Sequence, residues 1–407
     1  MIKPISVGRP AHLRHTNALT ILRLLRQVRS CSRADLVRAS GLSAPTVTNV
    51  VNDLLSAGLI TAMGEGESSG GRPPDMIRFN AAKGCLLAVQ ITPQHLLFLL
   101  TDLSGEQIAS SQLALEGKQT TPRAVCRLID AETRRLLKEE KKLRTQLLAT
   151  VVAVPAITNV EDGIVVSITT LQEWRNVPLR MLLYKILHCP VILENDTNLA
   201  ALGERYHGAA RNEDTFVLIS IGENVSAGIV LAGRLHHGAQ WSAGEIAYLR
   251  LPQVSRKAPA LHQFGELENV LTKRAIVSAW EASARHTSGK ALRASHPRKV
   301  PEDIEAYQVL DLAEKGDQAA RAVVDLRAAI VSDVVINLAL ILNPELVLLA
   351  GAVGSHPAML AAVCEELAKS EFAMPRIAAA TLGESASLWG AIATALEEVP
   401  LILLPQP

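Results

Sequence analysis

Ser32-Arg33-Ala34-Asp35-Leu36-Val37-Arg38-Ala39-Ser40-Gly41-Leu42-Ser43-Ala44-Pro45-Thr46-Val47 reads as a short helix, a tight turn and the start of a second helix. Ser32 and Asp35 stand at the spacing where each side chain satisfies a free backbone N–H of the other at a helix start. Gly41 ends that helix early, because glycine accepts the left-handed conformation that stops a helix. Ser43 caps the next helix, and Pro45 fits its first turn, where N–H groups have no helical partner. From there Val47, Val50, Val51, Leu54 and Leu55 fall on one apolar face. The other face carries Ala44, Thr46, Thr48, Asn49 and Asn52, short uncharged side chains suited to reading base edges in a major groove. A structural three-helix bundle with a polar surface meets the same periodicity. The tight turn, a basic preceding helix and a polar second helix occurring together point to nucleic acid.

Working outward, Ala18, Ile21, Leu22, Leu25 and Val28 mark an amphipathic helix over Asn17–Arg29, with Arg23, Arg26 and Arg29 on or near its other side. Downstream, Gly58 ends a helix, and residues 59–63 and 76–79 read as the two strands of a hairpin. The glycine-rich stretch between them, ending Gly70-Gly71-Arg72-Pro73-Pro74, reads as a wing. Arg72 there either reaches a phosphate or the minor groove, or packs on the domain that follows. Residues 1–80 hold ten Lys/Arg against five Asp/Glu, a net of +5, and the rest holds 31 against 35, a net of −4. The basic head is the part suited to a polyanion. Residues 1–80 are therefore expected to form a winged helix-turn-helix, with DNA contacts from Arg33, Ser43, Ala44, Pro45, Thr46, Thr48, Asn49, Asn52 and Arg72.

A chain of 407 residues with 48% hydrophobic content is long enough for two or three domains with large cores. No apolar run reads as the roughly 18 residues that span a bilayer, and Met1-Ile2-Lys3-Pro4 lacks a secretory signal's apolar core, so a cytoplasmic location is expected. Cys31, Cys85, Cys126, Cys189 and Cys364 stand apart, with no metal-ligand spacing, and read as small buried hydrophobes in a reducing compartment.

After residue 81 strands and helices alternate. Residues 86–92, 95–102 and 106–115 read as consecutive strands with turns at Pro93 and Ser104-Gly105, followed by a helix near 123–143. Further strands are expected at 147–155, 164–169 and 190–194. A second cycle starts with strands at 215–221 and 227–231, followed by helices around 266–285 and 318–342, a strand at 345–350 and a last helix at about 387–398. Two such halves imply a two-lobed α/β body with a cleft between the lobes.

Ser32-Arg33-Ala34-Asp35-Leu36, Gly41-Leu42-Ser43, Thr46-Val47 and Gly70-Gly71-Arg72-Pro73-Pro74 resemble the head of the ROK family, which groups sugar-responsive repressors with bacterial sugar kinases; the xylose and N-acetylglucosamine repressors are the nearest kind. The resemblance continues over residues 84–398 and implies the actin-like (ASKHA) sugar-kinase fold. It implies a small lobe of residues 81–198 plus about 387–407, and a large lobe of residues 199–386. Its best match is Glu194-Asn195-Asp196-Thr197-Asn198, where the family's Asp is the general base on a sugar hydroxyl and the Asn binds sugar. Physically, a carboxylate at a helix N-terminus is held ionised by the backbone dipole, and the same residue also serves as a plain helix cap. Gly244-Glu245-Ile246 resembles the family's Gly-Glu-Ile-Gly-His element, and Glu268 resembles the last acid of its zinc segment; both are sugar ligands by that resemblance. Thr170 stands where the family commonly has a sugar-binding Asn. Trp174 is read as a support of the pocket wall.

The departures from the family decide the expected function. Its opening Asp-x-Gly-Gly-Thr is Gln90-Ile91-Thr92-Pro93-Gln94 here, without the acid, without glycines, and with one N–H removed by proline. Its second phosphate loop is Gly222-Glu223-Asn224-Val225-Ser226, with an acid facing where phosphate would lie. The cysteines of its zinc segment are missing, and its His ligand is Tyr248, so no metal and no cofactor are expected. The expected function is a DNA-binding transcriptional regulator, a repressor, that senses a sugar or sugar-like effector without phosphorylating it. The expected partners are double-stranded operator DNA and further copies of itself, as a homodimer or homotetramer. The alternatives are an active carbohydrate kinase with a DNA-binding head, motivated by Asp196, and a protein-docking body with no small ligand. The basic stretch Ser288–Val300 reads as solvated surface or a DNA contact, and His236 and His237 as loop residues or pocket ligands.

Overall fold

The computed structural model describes residues 10–28, 30–65, 75–168, 171, 173–254, 263–290 and 304–405. The first unit runs α1 (Pro10–Gln27), β1 (Cys31–Ser32), α2 (Arg33–Ser40), α3 (Ala44–Ser56), β2 (Ile60–Glu65) and β3 (Asp75–Phe79). The capping pair forms as expected: the Asp35 N–H donates to Ser32 Oγ at 3.2 Å and the Ser32 N–H to Asp35 Oδ2 at 2.8 Å. Gly41 takes φ 68°, and its N–H closes on the Val37 carbonyl at 3.1 Å. Ser43 Oγ accepts from the Thr46 N–H, and Pro45 sits in the first turn of α3. Ile21, Leu22, Leu36, Val47 and Val51 are sealed between the three helices. The sheet order is β1-β3-β2, all antiparallel, so the hairpin gains a third strand that its two residues were too short to announce. Arg72 and the rest of residues 66–74 lie outside the described residues, as does Arg29.

Arg26, on the basic side of α1, turns into the body: its Nη1 donates to the Leu396 carbonyl at 2.6 Å, and its guanidinium lies 6.0 Å from the centre of the Phe79 ring. The apolar residues of this unit run without a break into those under the first body sheet, including Leu86, Leu99, Leu199 and Leu396.

The body starts with β4 (Cys85–Ile91), β5 (His95–Asp102), β6 (Gln107–Ala114), α4 (Pro122–Glu139) and β7 (Leu147–Val154). A small antiparallel sheet follows, of β8 (Ile157–Asn159), β9 (Ile164–Ser167) and β10 (Arg175–Val177), then α5 (Leu179–Leu187), β11 (Val191–Asn195) and α6 (Asp196–Tyr206). The five-stranded sheet runs β11-β7-β4-β5-β6: an antiparallel meander of β4, β5 and β6 extended by two parallel strands.

The second half repeats the scheme with β12 (Phe216–Ile221), β13 (Val225–Leu231), β14 (Arg234–Leu235), α7 (Glu268–Leu271), α8 (Lys273–Lys290), α9 (Ala306–Glu314), α10 (Gln318–Leu342), β15 (Leu346–Ala350), α11 (Gly351–Gly354), α12 (Pro357–Leu367), β16 (Arg376–Ala379) and α13 (Ala386–Leu403). Its sheet runs β14-β13-β12-β15-β16, again a meander plus two parallel strands. The single helix expected near 266–285 is two, broken at Thr272. Residues 291–300 of the basic stretch lie outside the described residues.

The last helix, α13, returns to the first half and packs on α6, β4 and β7. The segment Gly383–Leu403 is long and apolar enough to cross a membrane by length and composition, which corrects the expectation that no run is. Its apolarity serves the core instead, since Ala391, Ile392, Ala395 and Val399 are fully enclosed. Gly203 of α6 and Gly390 of α13 meet backbone to backbone, and a Cβ on either would collide with a carbonyl oxygen of the other helix. Four cysteines are buried as expected, but Cys364 is exposed on α12, so a lone cysteine's position was not readable from spacing.

Candidate functional site

β11 delivers Glu194-Asn195 to the start of α6, where the chain must turn from extended to helical. Asn195 is the cap: its side-chain oxygen accepts from the N–H groups of Thr197 at 2.9 Å and Asn198 at 3.1 Å. Asp196 is therefore the first helical residue rather than the cap, although its Oδ1 also accepts from the Thr197 N–H at 2.8 Å. Glu194, buried, holds the turn from behind: Oε1 accepts from the Asn195 N–H and the Asn198 amide, and Oε2 pairs with His237 Nε2 at 2.7 Å. His236 is exposed, as a loop histidine is expected to be, whereas His237 is half-buried and tied to Glu194. That link joins positions far apart in sequence, and its only local signal was a histidine beside a glycine.

Glu245 arrives on a turn that only glycine permits. Gly244 takes φ 91°, and a Cβ there would strike the Ala227 carbonyl of β13. Glu268, at the start of α7, is held by the Gly265 N–H on Oε2 at 2.7 Å and by the Val225 N–H on Oε1 at 3.4 Å. Asn195, Asp196, Glu245 and Glu268 line one cavity of about 60 Å³, together with Asn224, Ser226 and Tyr248. Sequence reading had named the four but not Asn224 or Ser226; Ser226 Oγ lies 2.6 Å from Thr197 Oγ1 and ties the loop to α6. Thr170 lies outside the described residues. Trp174 is fully buried and donates Nε1–H to the Thr120 carbonyl at 2.6 Å, so it is a core anchor.

The electrostatics correct one expectation. The helix dipole was expected to keep Asp196 ionised, but burial outweighs the Thr197 N–H that it accepts, and its pKa is pushed up to about 6. Burial, then Glu268, then Asp196 push Glu245 to about 7. Burial raises Glu268 as well. Three acids, each raised by burial, share one cavity; a carboxyl accepts hydrogen bonds from hydroxyls when ionised and donates when protonated, which suits polyol recognition.

At both positions that correspond to the family's phosphate loops, part of the loop is engaged by other groups of the chain. Thr92 and His95 exchange hydrogen bonds, with the Thr92 N–H on the His95 carbonyl at 2.9 Å and the His95 N–H on Thr92 Oγ1 at 2.9 Å. The Gly222 N–H is taken by the Asn224 carbonyl at 3.0 Å, and Glu223 pairs with Lys273 at 3.1 Å. The zinc set that the resemblance implies does not fit: thiolates are missing from the segment, and the Tyr248 hydroxyl donates to the Gln263 carbonyl at 2.8 Å. Asp311, Glu314 and His356 do converge elsewhere, with their ligand atoms within 4.8 Å. There His356 Nδ1 accepts from the Ala358 N–H and caps α12, which leaves Nε2–H to donate to Asp311.

On the first unit, Ser43, Ala44, Pro45, Thr48, Asn49 and Asn52 are exposed along one edge of α3. Thr46 is half-buried and shares its hydroxyl with Ser43 at 2.8 Å. Arg33 is drawn inward, donating to Asn52 Oδ1 at 3.3 Å and facing Asp75 at 3.8 Å.

Residues 86–398 match the ROK family, and residues 16–63 match the MarR family. The chain is 26% identical over 346 residues to a xylose repressor of Caldicellulosiruptor bescii, covering 84% of each. It is 29% identical over 270 residues to a glucokinase of Halalkalibacterium halodurans, covering 65% of this chain and 80% of that one. A crystal structure of a ROK family transcriptional regulator, a homolog of the E. coli MLC protein, superposes with a TM-score of 0.77 at 24% identity, over 97% of this chain and 98% of that one. With its family match spanning most of its length and its two repeated sheets enclosing a carboxyl-lined cleft, the chain belongs to the ROK family.

Proposed function

We propose that this protein is a DNA-binding transcriptional regulator, acting as a repressor, whose body senses an unphosphorylated sugar or sugar-like effector and leaves it chemically unchanged. In this reading the first unit is a winged helix-turn-helix. Its α3 enters the major groove with Ala44, Pro45, Thr48, Asn49 and Asn52 toward the bases, and Arg72 reaches the backbone. Residues 81–198 with 387–407 form the small lobe and residues 199–386 the large one. Two or four copies, in the cytoplasm, set their heads on a two-fold symmetric operator. The repressor named among its relatives supports this reading.

The observation that carries it is the continuous core between head and first sheet, joined to a cleft whose phosphate-loop positions are partly engaged by other groups of the chain. A head so mounted moves with its lobe. The cavity of about 60 Å³ is below the roughly 300 Å³ of small-molecule sites, so an effector selects a wider cleft and turns the head with it. Mobility-shift titration of the full chain on candidate operator DNA, with and without sugars, tests this. Failure to bind any operator more tightly than unrelated DNA ends it.

One observation favours a kinase: a pKa of about 6 suits Asp196 to act as a base near neutral pH. Turnover of ATP with any hexose, abolished by Asp196→Ala, would replace the sensor reading with that one.

A further inference from the structure

The wall that carries Glu268 has a second side. A separate cavity of about 340 Å³ opens among α7, α8 and α10, lined by Glu268, Asn269, Thr272, Arg274, Ser278 and Arg327 among others. Arg327, in mid-α10, is only 5% exposed. Nη1 donates to the Val323 carbonyl at 2.9 Å and Nη2 to the Ala275 carbonyl at 3.4 Å, while Nε is buried with no partner. A guanidinium has five N–H donors and stays charged, so most of its donors and all of its charge are uncompensated here. Among the described residues no carboxylate pairs with it. The acid among the lining residues, Glu268, is held by the Gly265 and Val225 N–H groups. Burial alone lowers the pKa of Arg327, with no acid to raise it again. A buried charge without a counter-ion is costly to keep, and a fold that keeps one beside a cavity has left a place for the counter-ion.

We propose that this cavity binds a small phosphate- or carboxylate-bearing metabolite, whose anionic group is the counter-ion of the Arg327 guanidinium in the cavity wall. Arg274, exposed at the rim and 5.7 Å over the Phe264 ring, and the hydroxyl of Ser278 supply further donors. The volume admits more than a bare ion, since it reaches the lower end of small-molecule sites, roughly 300 Å³. Because Glu268 lines both cavities, an anion here and a ligand in the cleft press on the same side chain. The site stands whether or not the cleft takes a sugar.

Thermal melting of the full chain, titrated with inorganic phosphate against sodium chloride at equal ionic strength, tests the proposal. A saturable rise with phosphate alone is expected. Arg327→Met should lose that rise entirely, and Arg274→Ala should weaken the apparent affinity on the order of tenfold. An equal rise with chloride, or a full phosphate response in Arg327→Met, overturns the proposal. If Arg327→Met does not fold, the exposed Arg274→Ala decides, and an unchanged phosphate response overturns it. Parallel titrations with succinate, glucose 6-phosphate and ATP identify the source.

Discussion

Arg26 of α1 donates to the carbonyl of Leu396 in α13, and that carbonyl is free because the residue four positions on is Pro400, which has no N–H to offer. The proline breaks one rung of the body's last helix, and the head supplies the missing donor.

This relationship predicts a coupled pair. Arg26→Ala should lower stability by about 1.5–3 kcal/mol, the usual range for a hydrogen bond that involves a charged group. Pro400→Ala restores an intrahelical partner for Leu396, so Arg26→Ala should cost less on that background. A double-mutant cycle read by thermal melting should show a coupling of about 1 kcal/mol. Strict additivity would mean that the two residues do not share the carbonyl.

The α6–α13 crossing predicts a sharp intolerance. Gly203→Ala places a methyl group against the Ala386 carbonyl, with no flexible side chain to yield. Overpacking of this kind costs about 1–3 kcal/mol, and a backbone contact lies at the upper end. The same helix starts at Asp196, whose carbonyl accepts from Ser387 Oγ at 2.9 Å, so effector affinity should fall along with the melting temperature. A variant that melts and binds like the parent would contradict the close crossing.

The acids of the cleft predict a pH dependence. Asp196 and Glu245 are raised to about 6 and about 7, above their ordinary values of 3.8 and 4.5, so the folded state holds their protons more tightly than the unfolded chain does. Their contribution is whole below those ordinary values and is lost as pH rises through 6 and 7. Stability should therefore decline from about pH 4 to about pH 7, and Glu245→Gln should flatten part of the decline, on the order of 2 kcal/mol. Melting curves of both proteins across that range check it; parallel curves would show that Glu245 ionises freely.

The edge of α3 predicts a separation of binding from stability. Asn49 is exposed and bears no part of the head's core, so Asn49→Ala should leave melting unchanged. It should weaken binding to the preferred operator by about 1–3 kcal/mol, with little effect on unrelated DNA. Equal losses on both would reassign Asn49 to the backbone.

Local chemistry made much of this legible. The Ser32–Asp35 capping pair, the left-handed Gly41 and the apolar stripe of α3 involve neighbours within a turn or two, so their residues carry the whole instruction. The longer strands of both sheets came out close to the expected bounds, whereas the short or edge strands β8, β10, β14 and β16 were not read from the sequence. Two-residue β1 carried no periodicity, and the break at Thr272 is hidden in a continuous helical pattern.

What the sequence by itself determined was much of the order of elements, the polar edge of α3 and the departure from the family's phosphate-loop motifs. Only the tertiary structure decided where charge ends up. It carried Arg26 onto α13, paired His237 with Glu194, raised the cleft acids by burial, and left Arg327 without a counter-ion among the described residues. The reason is physical: capping and periodicity act through bonds a few residues long, whereas desolvation and pairing depend on which distant segments close over a group.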